Sequence, residues 1–204
     1  MKAQESRISV ALVDSMFHYP HEVWDLGLDS LDMFTEEVLD ELDAIRWAEG
    51  KQYPQYGTVV ARTGRHNWGA EGSFSEIIMQ VSWSAAGGVG TVAVTAAIKT
   101  VYEKLKSRAY GDVWHSMPSQ DQAVQIARSR LHQHYDVAVD RLTVVHSSVD
   151  AEAQRYEFEF RHEDGRKFGA TVGALAGMPS CTRVWTDGGD PLPRPVPEPP
   201  DPGN

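Results

Sequence analysis

Cysteine is almost absent from this chain of 204 residues, because Cys181 is the only one. No disulfide can therefore form within the chain, which fits a reducing compartment, and we expect a cytoplasmic protein. The nearest basic residue to Cys181 is Arg183, and no other group beside it would activate the thiol. We therefore predict no nucleophilic role for this cysteine.

Basic residues are also scarce in the sequence. The 19 Lys and Arg residues are outnumbered by 29 Asp and Glu residues, which gives a net charge of −10. An acidic surface repels phosphate backbones, so nucleic acid is not expected as a partner. The N-terminal apolar stretch Ile8–Val13 is too short for a signal peptide and predicts a buried strand instead.

Signatures of catalysis, metal binding and cofactor binding are missing as well. No close set of nucleophile, base and orienting group can be identified, which favours a binding protein over an enzyme. His18 and His21 have the spacing of a metal pair, but Pro20 opposes the helix that this spacing needs, so no metal is predicted. The glycines at Gly88 and Gly90 fit a dinucleotide fingerprint, but no second apolar strand follows within a βαβ length. We therefore expect no cofactor.

One long stretch, Ile77–Ile98, carries no charge and lies between Glu76 and Lys99. Its first part, Ser75–Trp83, predicts a strand, and a helical pattern follows a Gly/Ala-rich turn. The most apolar segment of a chain forms its core, so we expect the core here. The alternative is a membrane-active protein, since the stretch is long enough to cross a bilayer. Its polar residues and its central turn favour the soluble strand–turn–helix.

A helix is predicted over Asp29–Gly50, with Asp29 or Ser30 as its cap. Apolar residues recur three and four apart on one face of this segment, as an amphipathic helix requires. They are Leu31, Phe34, Val38, Leu42 and Ile45. The opposite face is acidic, and it is formed by Asp32, Glu36, Glu37, Asp40 and Asp43. This face is either a docking surface for a basic partner or a solvated acidic face.

A loop is predicted over Thr63–Gly72, between a strand at Tyr56–Arg62 and the strand at Ser75–Trp83. Around this loop the sequence brings together two arginines and three other side chains that can hold ligands, namely Arg62, Arg65, His66, Asn67 and Trp68. Such a set could bind an anionic or aromatic ligand through charge, hydrogen bonds and stacking. The alternative is a plain hairpin connection.

The C-terminal third predicts a helix followed by a β-meander. Ser119 and Gln122 form a capping box for a helix that runs to about Tyr135. Strands are predicted at Leu142–Ser148, at Arg155–Arg161 and around Phe168–Val172, with a short edge strand at Thr182–Trp185. A three-residue loop with a left-handed Gly165 would pair Phe160 with Phe168, and Tyr156 with Val172.

The order of these elements lacks regular βα alternation, so we predict an α+β fold with a mainly antiparallel sheet of five or six strands and three helices. We expect one domain over residues 1–189, the alternative being a weak subdivision near 109–118. A disordered, Pro-rich tail is expected over 190–204. For function we predict a soluble, non-enzymatic binding module with a protein partner. The alternatives are an enzyme or anionic-ligand-binding domain using the Arg62–Trp68 loop, or a membrane-active protein.

Overall fold

The structure, a computed structural model, describes residues 5–13, 19–48, 53–66, 72–82 and 89–187. These residues form an α+β fold with nine strands and three α-helices. The strands are β1 (Glu5–Val13), β2 (Glu22–Leu31), β3 (Gly57–His66), β4 (Gly72–Ser82), β5 (Ala109–Asp112), β6 (Leu142–Asp150), β7 (Arg155–His162), β8 (Lys167–Val172) and β9 (Thr182–Thr186). The helices are α1 (Thr35–Arg46), α2 (Val89–Ser107) and α3 (Gln120–Tyr135).

All nine strands belong to one sheet with the order β3-β4-β1-β2-β9-β8-β7-β6, and β5 pairs with β2. Every pair is antiparallel except β1 and β4, which are parallel. The predicted fold class is therefore confirmed. The predicted number of strands is too low, because β2 and β5 were missed. The prediction of an edge strand at Thr182–Trp185 is also wrong, since β9 lies between β2 and β8.

The segment around Asp29 is the clearest difference between the prediction and the structure. Asp29 and Ser30 belong to β2, where Asp29 pairs with Glu5, and they do not cap a helix. Helix α1 begins only at Thr35, with Phe34 as its N-cap. The spacing of the apolar residues predicted a helix from Asp29, but this segment is a strand because it pairs with β1. Local propensity does not include such pairing.

The sheet has a separate core on each face. Helices α1 and α2 cover one face of β4, β1 and β2, and the largest buried residues of this core include Ile8, Leu42 and Tyr102. Helix α3 covers the opposite face of the other half, where Phe158, Phe160 and Leu131 pack together. The face of β6 to β9 opposite α3 carries exposed residues such as Glu159 and Lys167.

The C-terminal meander has the predicted register. Tyr156 lies opposite Val172 and Phe160 lies opposite Phe168, which confirms the three-residue loop. Gly165 in that loop is left-handed, with φ 90°. The capping box of α3 is also confirmed, because the Ser119 side chain accepts from the backbone N–H of Gln122.

The uncharged stretch Ile77–Ile98 divides between β4 and α2, and residues 83–88 in its middle lie outside the described part of the chain. Among the helices of the described residues, none is long and apolar enough to cross a membrane. The predicted tail at 190–204 also lies outside the described residues.

Candidate functional site

Strand β3 forms one edge of the sheet. It pairs with β4 in unbroken register from Gly57 to His66, and no strand of the described residues lies on its other side. An edge of this kind presents unpaired backbone N–H and C=O groups to an added strand. The opposite edge, β6, is interrupted by a bulge between Val144 and His146, which makes it a poorer template.

Exposed apolar side chains accompany this edge. Val59 and Val60 keep 41% and 48% of their surface accessible, although most valines in strands are buried. Tyr53 and Tyr56, just before β3, are 72% and 65% exposed. Aromatic residues of this kind are enriched in protein interfaces because they offer a large contact area with few rotatable bonds.

Helix α1 is fixed beside the start of β3 by Arg46. The Arg46 side chain donates from Nε to the Gln55 carbonyl at 2.9 Å, and the Gln55 N–H donates to the Arg46 carbonyl at 2.8 Å. A Cβ at Gly57 would lie 3.5 Å from Arg46 Cδ, so the arginine lies directly against the strand. The last turn of the helix and the edge strand therefore form one continuous surface.

The five predicted acidic residues lie partly on this surface. Glu36 and Asp40 are exposed on α1, and neither makes a side-chain hydrogen bond or ion pair within the described residues. Glu37 accepts a hydrogen bond from the Phe34 N–H at 2.7 Å and so caps the helix. Asp43 accepts from Arg46 at 2.8 Å, which neutralises part of its charge.

Asp32 differs from the other four, because it precedes α1 and lies in the connection from β2. Its backbone bonds to Arg108, since the Asp32 N–H donates to the Arg108 carbonyl at 2.8 Å. Four of the five predicted acidic residues therefore belong to α1.

The predicted ligand-binding loop is placed differently from the expectation. Arg62 is exposed on β3 in register with Glu76, and β3 continues through Arg65 to His66. The prediction of a loop from Thr63 is therefore wrong for Thr63–His66, because β4 begins at Gly72 and pairs with them. Asn67 and Trp68 lie outside the described residues.

A second group of functional side chains, which the sequence did not predict, lies under α3. Asp25 on β2 is 1% exposed and accepts a hydrogen bond from Ser9 Oγ at 2.5 Å. His134 Nε2 lies 2.9 Å from Asp25 Oδ2, and because a carboxylate only accepts, this nitrogen carries the proton. Arg130 Nε lies 3.7 Å from the same oxygen. We call these four residues the Asp25 cluster.

The charges around Asp25 decide its ionisation. Burial alone raises the pKa of this carboxyl, but the hydrogen bond and charge of His134, the charge of Arg130 and the hydrogen bond of Ser9 outweigh it. The pKa of Asp25 is therefore lowered from its ordinary value, and the carboxylate is ionised at neutral pH. The cluster connects α3 to the middle of the sheet through charge as well as packing.

The signal that would have found Asp25 is the alternation in β2. Trp24, Leu26 and Leu28 recur every second residue and are all buried, and Asp25 lies between them. A charged residue on a strand that is covered on both faces is a candidate for pairing or function. Its partner His134 is 109 residues away, so no local pattern could indicate the contact.

Cys181 is fully buried, and burial raises the pKa of its thiol well above the ordinary value. The thiol therefore stays protonated and unreactive. Within the described residues, no group of three or more His, Cys, Asp or Glu side chains could hold a metal ion.

The described residues thus define an α+β protein with a nine-stranded sheet, an open strand edge beside an acidic helix, and a buried ionic cluster. Comparisons with protein families, with curated proteins and with solved structures found no match to the chain.

Proposed function

We propose that this protein is a non-enzymatic binding module that takes an extended segment of a partner protein as an added strand on β3. The observation that carries the proposal is the unbroken edge of β3, which pairs with no second strand among the described residues and has Val59 and Val60 exposed along it. Main-chain hydrogen bonds to such an edge supply affinity, and alternate side chains of the added segment supply specificity.

The helix beside the edge defines the charge of the partner. Glu41 pairs with Lys104 of α2 at 2.6 Å, so this side of α1 faces α2. Glu36 and Leu39 lie about 140–160° around the helix from Glu41, on the opposite flank. Arg46, which contacts Gln55 just before β3, lies about 80° around the helix from Glu36, so Glu36 is on the flank nearer to β3. An added strand would therefore place every second side chain next to the acidic helix.

The expected partner segment is extended, with Lys or Arg at alternate positions and apolar or acidic residues between them. The basic side chains would meet Glu36 and Asp40, whose charges have no partner within the described residues. The side chains on the other face would lie beside Val60 and Arg62, so an acidic residue there would pair with Arg62. This pattern distinguishes the partner from an arbitrary β-forming peptide.

A second copy of this chain fits the edge less well. Antiparallel pairing of two β3 strands would continue the sheet and place both α1 helices on the same face, next to each other. Both helices present acidic residues there, and like charges brought together oppose association. The charge distribution therefore favours a basic partner over self-association.

Selection from a displayed library of extended peptides is the first test. We expect enriched peptides to alternate basic with other residues and to bind less tightly as salt is added. Replacing Glu36 and Asp40 together with Lys should weaken binding by about tenfold or more, because two exposed charge pairs worth up to about 1 kcal/mol each would be lost. Affinity would be measured by calorimetry on the wild type and the variant.

The matched control for this variant is Asp140→Lys with Glu152→Lys. Both residues are exposed in the C-terminal half, and the pair changes the net charge by the same amount. Binding should be close to wild type in this control. Equal losses in both variants would indicate general electrostatics, and enrichment of acidic peptides would contradict the proposal.

A small enzyme is the second candidate. The observation that favours it is the Asp25–His134 pair, since a carboxylate that orients an imidazole is a common feature of general-base sites. It ranks second because Ser9 donates to Asp25 and not to the imidazole, so no hydroxyl of the cluster is activated by His134.

A further inference from the structure

A cavity of about 220 Å³ lies on the face of β6 to β9 opposite α3. Its position follows from one row of residues across the sheet, in which Glu159 lies opposite Gly169 and Gly169 lies opposite Trp185. Gly169 contributes no side chain to this row, and the Trp185 indole occupies the space above it. A Cβ at Gly169 would lie 2.1 Å from Trp185 Cε2, so only glycine allows this placement.

The indole of Trp185 is held in place from the side of β2. The Arg183 guanidinium lies over the Trp185 ring at 4.7 Å and near the Trp24 ring at 5.5 Å. Arg183 also donates to Glu22 at 2.6 Å, and Trp24 Nε1 donates to the same carboxylate. The Trp185 side chain is therefore already held in one orientation, so little side-chain entropy is lost when a ligand binds.

The other end of the cavity is formed by the bulge in β6. Val145 is the extra residue between the pairs Val144–Phe160 and His146–Glu159, and it lines the cavity. Bulges are frequent next to binding sites because they redirect a side chain and bend the strand. Val145 of β6, Gly169 of β8 and Trp185 of β9 thus line one cavity.

Charged residues of both signs line the cavity in equal number. They are Glu159 and Asp187, which are acidic, and Arg161 and Lys167, which are basic. None of these four side chains makes a hydrogen bond or ion pair within the described part of the chain, and the Trp185 Nε1–H is likewise without an acceptor there. By contrast, Glu157 on the same strand pairs with Arg155 at 3.4 Å.

From these features we infer that the cavity binds a neutral, polyhydroxylated ring, that is, one monosaccharide unit of a glycan. The balanced charges disfavour a strongly anionic or cationic ligand, whereas hydroxyl groups can both donate to carboxylates and accept from Arg and Lys. Arg183 covers one face of the Trp185 indole, and the part of the ring that lines the cavity offers an apolar surface to the C–H groups of such a sugar ring. The volume is below the 300–1,000 Å³ typical of sites for larger ligands, so one ring fits.

The test is titration of the whole chain with glucose, galactose, mannose and N-acetylglucosamine and with short oligosaccharides of each. Binding would be followed through the indole N–H resonance of Trp185, assigned by its absence in Trp185→Phe. We expect at least one neutral sugar to shift this resonance. Glu159→Gln should weaken that binding by about tenfold or more, since it removes a charged acceptor.

Glu157→Gln is the matched control, because Glu157 lies two residues away on the same strand and does not line the cavity. Its binding should equal that of the wild type. Glu159 is exposed and makes no side-chain hydrogen bond or ion pair within the described residues, so the Glu159→Gln variant keeps the fold and tests the site. No shift with any neutral sugar, tighter binding of charged rings, or equal losses in both variants would overturn the inference.

Discussion

Replacing Asp25 with Asn is expected to lower the free energy of unfolding by about 3 kcal/mol, because the charge of Arg130 would lose its buried counter-charge and the Nε2–H of His134 would lose a charged acceptor. The side chains of these two partners are 15% and 14% exposed, which places the effect at the lower end of the range for broken buried pairs. Ser9 would also lose the carboxylate that accepts its hydroxyl at 2.5 Å. Chemical denaturation of the wild type and the variant measures the difference.

Asp29→Asn is the control on the same strand. Asp29 is partly exposed and accepts a hydrogen bond only from Ser30 Oγ in the described structure, so its replacement should change stability by less than about 1 kcal/mol. Similar losses of unfolding free energy in both variants would show that the Asp25 cluster contributes no more to stability than an exposed carboxylate does.

The pH dependence of the Asp25 effect has a defined sign. A carboxyl whose pKa is lower in the folded state contributes stability that is fully present above its unfolded pKa of about 3.9. This contribution is lost as the pH falls through the lower, folded pKa. The gap in stability between the wild type and Asp25→Asn should therefore shrink as the pH falls below about 4.

Replacing Leu42 with Ala is expected to lower the free energy of unfolding by about 2–5 kcal/mol, because it leaves a cavity in the core beneath α1. Leu42 is 0% exposed and packs with residues of β1, β2 and β4. If residues 1–189 form one domain, as the sequence predicts, the loss should also reach the α3 half of the sheet. Amide exchange at Phe158 and Phe168 would then accelerate together with exchange in β1.

The control for this variant is Val149→Ala in β6, since Val149 is 53% exposed and its truncation should cost little. Unchanged protection of β7 and β8 in Leu42→Ala, with loss confined to β1 and β4, would show that the two halves unfold independently. The alternative of a subdivision near 109–118 would then be favoured.

The sequence predicted the C-terminal half well because its structure is local. Tyr156, Phe158 and Phe160 alternate with charged residues, and only one turn length matches that pattern with Phe168 and Val172. The capping box at Ser119 is local too, since it joins residues three apart. Local signals of this kind do not depend on the remainder of the fold.

The N-terminal half was predicted less well because its contacts are distant in sequence. Strand β1 pairs with β4 in parallel, and β2 pairs with β9, so neither neighbour follows directly along the chain. The apolar residues from Leu31 to Val38 have helical spacing, although Leu31 belongs to β2. The acidic residues of α1 were predicted from the sequence. The open edge beside them could not be predicted, because identifying an edge strand requires the order of the strands in the sheet.

The most direct test of the proposed function is amide exchange along β3 with and without a selected basic peptide. An added strand forms new hydrogen bonds with the outward N–H groups of the edge, so exchange should slow at alternate residues from Gly57 to Arg62. The amides of β6 serve as the internal control and should not change. Protection on β6, or peptide binding with no slowing on β3, would contradict strand addition at this edge.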